Sequence, residues 1–263
     1  MPVTSAVAVA AEAVLIAGAL QKARYGAKDL DVQLKGEIDL VTEVDRACES
    51  AVVALLRARF PEHDIVTEET HLERHGSRYV WFVDPLDGTT NYAHGYPFFC
   101  CSVALTLDGA PVAGAVYDCI KEELFTAERG SGAHLNGRRL RVSDRRDLLR
   151  SLLTTGFPYD MRLDLDAALR LFNRFMGVAR GIRRDGAAAL DLSYVAAGRV
   201  DGFWEERLHP WDVMAGALLI TEAGGVITRF DGSPMALAAD QVVAANPALH
   251  ALMLDVLRAG TAA

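Results

Sequence analysis

Hydrophobic and polar positions change period repeatedly along the chain. The opening stretch, MPVTSAVAVAAEAVLIAGAL, is apolar, lacks a basic leader and runs into polar QKARYG. It predicts a buried helix to about Arg24, closed near Gly26, and not a signal peptide. A second helix follows Asp39-Leu40-Val41-Thr42, with apolar residues at helical spacing through RACESAVVALLRARF, and Pro61 stops it. Short strands are expected at DIVTEET and at YVWFV, the latter ending abruptly in Asp84. FFCCSVALTL and APVAGAVYD form a hairpin through Asp108-Gly109, and ELFTAERG and GAHLNGRRLRVS extend an antiparallel sheet with Asn136-Gly137 as a further turn.

The pattern shifts after about Ser143. SLLTTGF, VDGFWE, VITRF and QVVAAN read as strands. LDAALRLFNRFMGVA, AAALDLSYVAAG, WDVMAGALLITEAGG and a last segment from Pro247 read as helices. Antiparallel sheet with helices thus gives way to alternating strand and helix. Two tightly packed subdomains are expected, residues 1–145 and 146–263, with a cleft between them.

Composition adds limits. The 263 residues, 51% hydrophobic and 24% charged, suffice for one large or two small cores. The net charge of -8 and the lack of a basic run argue against direct duplex nucleic-acid binding, and an anionic substrate would need a bound cation or a local positive field. Cys48, Cys100, Cys101 and Cys119 contain no CxxC pair, and the adjacent two are poorly placed to bridge. They read as reduced thiols of a cytoplasmic protein. After the first helix no stretch is long and apolar enough to span a bilayer, and no membrane association is expected.

The chemistry concentrates in acids at the ends of apolar runs: Asp45, Glu68, Asp84, Asp87 and Asp212. Singly, each has an ordinary reading. Asp87-Gly88 could be a plain turn, Asp212 a helix cap and Asp45 a solvated first-turn residue. Converging without counter-charge they would repel, which arginines or divalent cations could resolve. Carboxylates with a backbone carbonyl and water form the donor set that magnesium prefers. Gly88-Thr89-Thr90 follows directly. Glycine lets backbone approach a ligand, N–H groups at a helix start bind phosphate, and the Thr89 hydroxyl can hold a water. The arrangement suits a phosphate ester whose attacking and leaving oxygens both need cationic support.

Four motifs carry a resemblance: Asp39-Leu-Val-Thr-Glu-Val-Asp45, Glu68-Glu69, Asp84-Pro-Leu-Asp-Gly-Thr-Thr90, and Trp211-Asp-Val-Met-Ala-Gly216 with Glu-Ala-Gly-Gly225 after it. The chain resembles the inositol monophosphatases of the lithium-sensitive, magnesium-dependent phosphatase superfamily. The resemblance spans nearly the whole chain and implies a five-layer αβαβα sandwich. It implies a first metal held by Glu68, Asp84 and the Leu86 carbonyl, a second held by Asp84, Asp87 and Asp212, and in some relatives a third, weaker one near Glu68: two or three Mg2+ per active site. Thr89 and Glu68 would position the attacking water, with Asp45 bonded to Thr89. The Gly88 and Thr89 amides would take the phosphate, and Lys35 matches an active-site loop lysine. Gly186-Ala187-Ala188 and Glu205 would face the substrate ring, although the neighbouring Glu206 competes for the last role. Inhibition by lithium and a homodimer are expected with them.

Some residues limit the substrate. Arg183, Arg184 and Asp185 make the wall before Gly186 more charged than a neutral polyol needs. Arg183 has a family counterpart, with an interface or surface role as the plain alternative. TTGFPYD (residues 154–160) resembles bacterial inositol monophosphatases and not the branch that cleaves 3′-phosphoadenosine phosphates. Asp29-Leu-Asp31 and Asp164-Leu-Asp166 lack the strand and the following residue of a haloacid-dehalogenase phosphatase, and no GxxxxGK[ST] or GxSxG occurs. His71 and His75 in HLERH read as a solvated face and not a zinc pair. Gly130-Ser131-Gly132 is a turn. Inositol 1-phosphate is the first expectation for the small phosphate monoester, with histidinol phosphate and fructose 1,6-bisphosphate as competitors. A regulatory protein that keeps the fold and contacts partners is the reading from a different class. A pure binder has no need for Asp45, Thr89, Glu68 and three further aspartates together.

Overall fold

The computed structural model describes residues 5–34, 40–70, 72, 74–157, 165–235, 237 and 240–258. Helix α1 (Ala6–Arg24) and helix α2 (Glu43–Arg59) bring Val9, Ala10, Ala13, Val14 and Ala17 against Val44, Cys48, Val52 and Leu56 in one buried cluster. Among the described residues α1 is the one helix long and apolar enough to cross a membrane by length and composition. Here its apolar stripe is core. Gly18 leaves room for the Tyr117 ring, where a Cβ would collide. Between the two helices a hairpin pairs β1 (Val32–Leu34) with β2 (Leu40–Thr42), two strands that the hydrophobic pattern did not predict.

A seven-stranded sheet follows, in the order β3 (Asp64–Thr67), β4 (Tyr79–Asp87), β5 (Cys100–Leu107), β6 (Ala110–Asp118), β7 (Glu123–Glu128), β8 (Gly132–Leu135), β9 (Arg138–Arg139). It is antiparallel as expected, except that β3 runs parallel to β4. The sequence expectation that the apolar strand stops at Asp84 is corrected. β4 continues to Asp87 through an irregularity: Asp84 pairs with Ser102 and Asp87 with Cys100, so three steps on β4 match two on β5. Pro85 has no N–H to give the ladder, and the bulge absorbs it. A short helix α3 (Thr89–Ala93) comes next, too brief to show a helical period.

The second sheet has the order β11-β10-β12-β14-β13, made of β10 (Leu152–Thr155), β11 (Gly181–Arg183), β12 (Gly202–Glu206), β13 (Val226–Thr228) and β14 (Gln241–Ala245). β10 is parallel to β11 and β12, whereas β14 is antiparallel to β12 and β13. β11 was not predicted from the pattern. Helix α5 (Ala188–Ala196) and helix α6 (Pro210–Glu222) lie between the sheets, where Leu190, Leu192, Val213, Met214 and Leu218 meet Phe82, Val116, Phe203 and Val242. Gly216 takes Leu192 and Gly114 takes Ala215, so α6 approaches both α5 and β6 closely. Helix α4 (Leu165–Val178) and helix α7 (Pro247–Arg258) cover the outer face, with Phe175 stacked on Trp204 at 3.9 Å. The layers are helix, sheet, helix, sheet, helix. Segments from both sheets and from the middle helices end at one place.

Candidate active site

Local structure positions each acid. Thr42 starts α2 with a reciprocal cap: its hydroxyl accepts the Val44 N–H at 3.1 Å, and its own N–H reaches Asp45 Oδ2 at 2.8 Å. The Thr42 hydroxyl also donates to that oxygen. Asp45 is fully buried, and its Oδ1 faces outward from the cap to meet the Thr89 hydroxyl at 2.9 Å. Glu68 follows the end of β3 in a turn fixed on both sides. The Thr67 hydroxyl donates to the Thr70 carbonyl at 2.7 Å, and the Glu69 N–H donates to Glu49 on α2 at 2.9 Å.

In the β4 bulge Asp84 accepts the Leu86 N–H at 3.0 Å, and the Leu86 carbonyl lies 3.0 Å from the Thr89 hydroxyl oxygen, whose one hydrogen goes to Asp45. Asp87 accepts the Ala189 N–H at 2.7 Å, from the start of α5, and the Cys100 thiol lies 3.7 Å from the same oxygen. Asp212 stands in the first turn of α6, where it accepts the His209 N–H at 2.7 Å; helix start and negative charge favour each other there. The Ser102 hydroxyl ties the preceding Trp211 carbonyl to β5 at 3.3 Å.

The acids act on one another. Burial first, then Glu68, Asp87 and Asp212, raise Asp84 well above the usual carboxylate range. Burial and then Asp87 do the same to Asp212. Asp87 is pushed up to about 7 by burial and by Glu68, against the pull of the Ala189 N–H. Among the described residues no lysine or arginine forms an ion pair with Asp84, Asp87 or Asp212. Nor, among the described residues, do three acid, histidine or cysteine side chains already close around a single point. Their mutual influence marks Asp84, Asp87 and Asp212 as neighbours, and each offers carboxylate oxygens. That chemistry fits hard divalent cations and resists soft ones.

The turn after the acids has the expected form. Gly88 adopts φ +92°, and a Cβ there would stand 3.0 Å from the Phe98 carbonyl and 3.3 Å from the Ala187 Cβ. Only glycine fits both the conformation and the gap. The contact sets the Gly88-Thr89 turn directly beside Gly186-Ala187-Ala188, at the start of α5. Asn91 fixes the two segments together, with its amide donating at 2.7 Å to both the Phe98 and Asp185 carbonyls. Glu205 ends near this wall. Its carboxylate occupies the space that a side chain on Gly156 would fill. Burial, then Asp87, push it to about 8, and Arg184 opposes the shift.

Asp45, Glu68, Asp84, Leu86, Asp87, Gly88, Thr89, Gly186, Ala187, Ala188, Glu205 and Asp212 are thus joined by contact or by mutual electrostatic influence. Lys35, Asp39, His71 and residues 158–160 lie outside the described residues. Two participants were not singled out from the sequence. Asn91 is the last residue of the DGTTN run, and its placement there was the available signal. Asp191 is an acid inside the apolar run AAALDLSYVAAG; it is buried in α5 and raised well above its usual range by burial first, with Asp185, Glu205 and Asp87 adding to it. An acid at such a position is the signal for it.

The profile of the inositol monophosphatase family matches residues 3–261. A Pseudomonas aeruginosa protein named Nus factor SuhB is 48% identical over 234 residues, covering 87% of this chain and 86% of that protein. A Synechocystis inositol-1-monophosphatase is 42% identical over 253 residues, covering 95% of this chain and 88% of that protein. The crystal structure of extragenic suppressor protein SuhB from Bartonella henselae superposes with a TM-score of 0.92 at 42% identity, covering 97% of this chain and all of that one.

Proposed function

The chain belongs to the inositol monophosphatase family, and on that premise we propose that it is a magnesium-dependent phosphomonoesterase whose substrate is inositol 1-phosphate. The observation that carries the reading is the Asp45–Thr89 hydrogen bond beside the coupled acids Asp84, Asp87 and Asp212. Glu68, Asp84 and the Leu86 carbonyl would hold one cation, and Asp84, Asp87 and Asp212 a second; a third would lie near Glu68. When bound, the cations neutralise the facing carboxylates and stabilise charge on the phosphate oxygens.

The chain's own residues do the rest. Thr89 donates its hydroxyl hydrogen to Asp45 as a hydrogen bond and keeps it, so the lone pairs of the Thr89 oxygen are left to accept from an attacking water. Thr42 holds the opposite oxygen of Asp45, so the pair keeps one orientation. Glu68 accepts from the same water and removes its proton as it attacks. The Gly88 and Thr89 amides receive the phosphate. The Gly186-Ala187-Ala188 backbone and Glu205 bond the ring hydroxyls of the alcohol. Lys35 belongs to the same site by its position in the sequence. No residue is assigned as a phosphate-accepting nucleophile. A homodimer completes the reading, as does a cytoplasmic location, which four free, buried cysteines support.

The experiment is a panel of inositol 1-phosphate, histidinol phosphate and fructose 1,6-bisphosphate with purified protein, scored by phosphate release. The highest kcat/KM is expected for inositol 1-phosphate. Preference for histidinol phosphate would overturn the named substrate and leave the phosphomonoesterase reading in place.

A second reading is favoured by the name Nus factor SuhB, carried by the Pseudomonas aeruginosa relative among others. It is a regulatory, partner-contacting role on the same fold. An Asp84→Asn variant separates the two, because it removes hydrolysis while leaving the outer surface unchanged.

A further inference from the structure

Gln21 is a fully buried polar residue on the otherwise apolar inner face of α1. Its Nε2 donates to the Pro85 carbonyl at 2.8 Å and lies 3.4 Å from the Cys100 carbonyl. The amide orientation follows from chemistry: turned over, Oε1 would face two acceptors. Those two carbonyls stand on either side of the β4–β5 bulge, in which Asp84 pairs with Ser102 and Asp87 with Cys100. Pro85 sits between Asp84 and Leu86, and its peptide plane therefore sets the direction of both. The same residue grips the far side of the turn, since its backbone carbonyl, near the end of α1, accepts the Tyr92 hydroxyl at 2.8 Å. Tyr25, just beyond α1, donates to the Gly95 carbonyl at 2.5 Å and packs on Tyr92 with ring centroids 5.7 Å apart. The end of α1 thus holds the whole segment from Pro85 to Gly95.

This grip carries a cost. Gln21 Oε1 is buried and accepts no hydrogen bond in the protein, a situation that destabilises a fold relative to an apolar side chain of the same size. A methionine would fill the space without an unpaired acceptor. Core packing therefore does not explain the glutamine, whereas the two carbonyls at its Nε2 do.

We propose that Gln21 is a positioning residue for the metal site: it closes the bulge from beneath and fixes the mutual aim of Asp84, the Leu86 carbonyl and Asp87. The proposal rests on the metal-dependent reading given above. It acts through Pro85, with Gln21 touching neither metal nor substrate, so its mark is on metal binding more than on folding.

The test is magnesium and manganese binding to the full chain by calorimetry, for wild type, Gln21→Met and Gln21→Glu, with melting temperatures in EDTA alongside. Gln21→Met is expected to keep or raise the metal-free melting temperature and to weaken metal binding about tenfold, at the low end of what outer supports of metal ligands cost. Gln21→Glu keeps the shape and, buried, holds a proton whose single O–H reaches one of the two carbonyls, so it weakens binding less than Gln21→Met. Metal affinity equal to wild type in both variants would overturn the proposal, as would a loss that merely follows a fallen melting temperature. Wild type that binds no divalent cation would instead overturn the metal-dependent reading, and the proposal with it. Should both variants fail to fold, NMR of the wild type decides. The Gln21 side-chain amide protons are expected to exchange slowly and to shift on magnesium addition; fast exchange with no shift would overturn the assignment.

Discussion

The Thr89 hydroxyl lies 2.9 Å from Asp45 Oδ1, across 44 residues of chain, and the other oxygen of that carboxylate is held by the cap of α2. A threonine on the turn that follows Asp84 and Asp87 thus donates a hydrogen bond to a carboxylate that has a single orientation. Thr89→Ala is expected to lower kcat by about 100- to 10,000-fold, the usual contribution of a positioned proton acceptor, with a much smaller change in KM. Thr89→Ser keeps the hydroxyl and retains most activity. Steady-state kinetics on the two variants decide; equal loss in both would detach the hydroxyl from the chemistry.

Asp84 is assigned to both cations, and it is the acid on which Glu68, Asp87 and Asp212 all act. Asp84→Asn is expected to reduce turnover by at least about 100-fold, comparable to removing one transition-state charge stabiliser. Its magnesium half-saturation rises as well. A near-normal rate at the wild-type magnesium concentration would remove the shared-ligand assignment.

Glu205 gives a pH signature. Its folded pKa of about 8 stands above the ordinary 4.5, through burial and the charge of Asp87. Between those values the folded protein keeps a proton that the unfolded chain has released. The stabilising contribution is therefore whole below the ordinary value and is lost as pH rises through the folded one. In metal-free protein Glu205→Gln removes this share, so the variant gains on wild type as pH rises across that window. Thermal melts in EDTA test it, and parallel wild-type and variant curves would contradict the assignment.

The Glu205 carboxylate occupies the space beside Gly156 where a Cβ would stand. Gly156→Ala is expected to displace Glu205 and raise KM by about tenfold, the size of one lost hydrogen bond, with kcat less affected. An unchanged KM would take Glu205 off the substrate wall.

Much of this was legible in the sequence because the signals are local. The WFVDPLDGTTNY run shows an apolar strand, two acids, a glycine and two hydroxyls in order; the structure puts the acids in the β4 bulge, Gly88 at φ +92° and Thr89 against Asp45. Helix α1 was readable as an apolar run and α2 from its period. Three features were not. The β1–β2 hairpin joins strands of three residues, too short for alternation to register. The continuation of β4 past Asp84 depends on how a bulge accommodates Pro85, and periodicity does not carry that. Gln21 reads as a stray polar position on an apolar helix, because its partner Pro85 is 64 residues away. Local pattern identifies residue types that suit a site; the contacts that aim them come from the packing of distant segments.

Inhibition by lithium would follow from a small monovalent ion taking the Asp87–Asp212 position after hydrolysis and retaining phosphate. Inhibition is expected to hold or strengthen as substrate rises. Potency that falls with rising substrate would contradict binding at that stage.

The most direct measurement is phosphate release from inositol 1-phosphate by the purified full chain, with magnesium, after EDTA, and after magnesium is restored, run beside Thr89→Ala. The account predicts turnover with magnesium, none in EDTA, recovery on restoration, and a rate lowered at least about 100-fold in the variant. Phosphate release that persists in EDTA, or that is the same with and without the Thr89 hydroxyl, would contradict it.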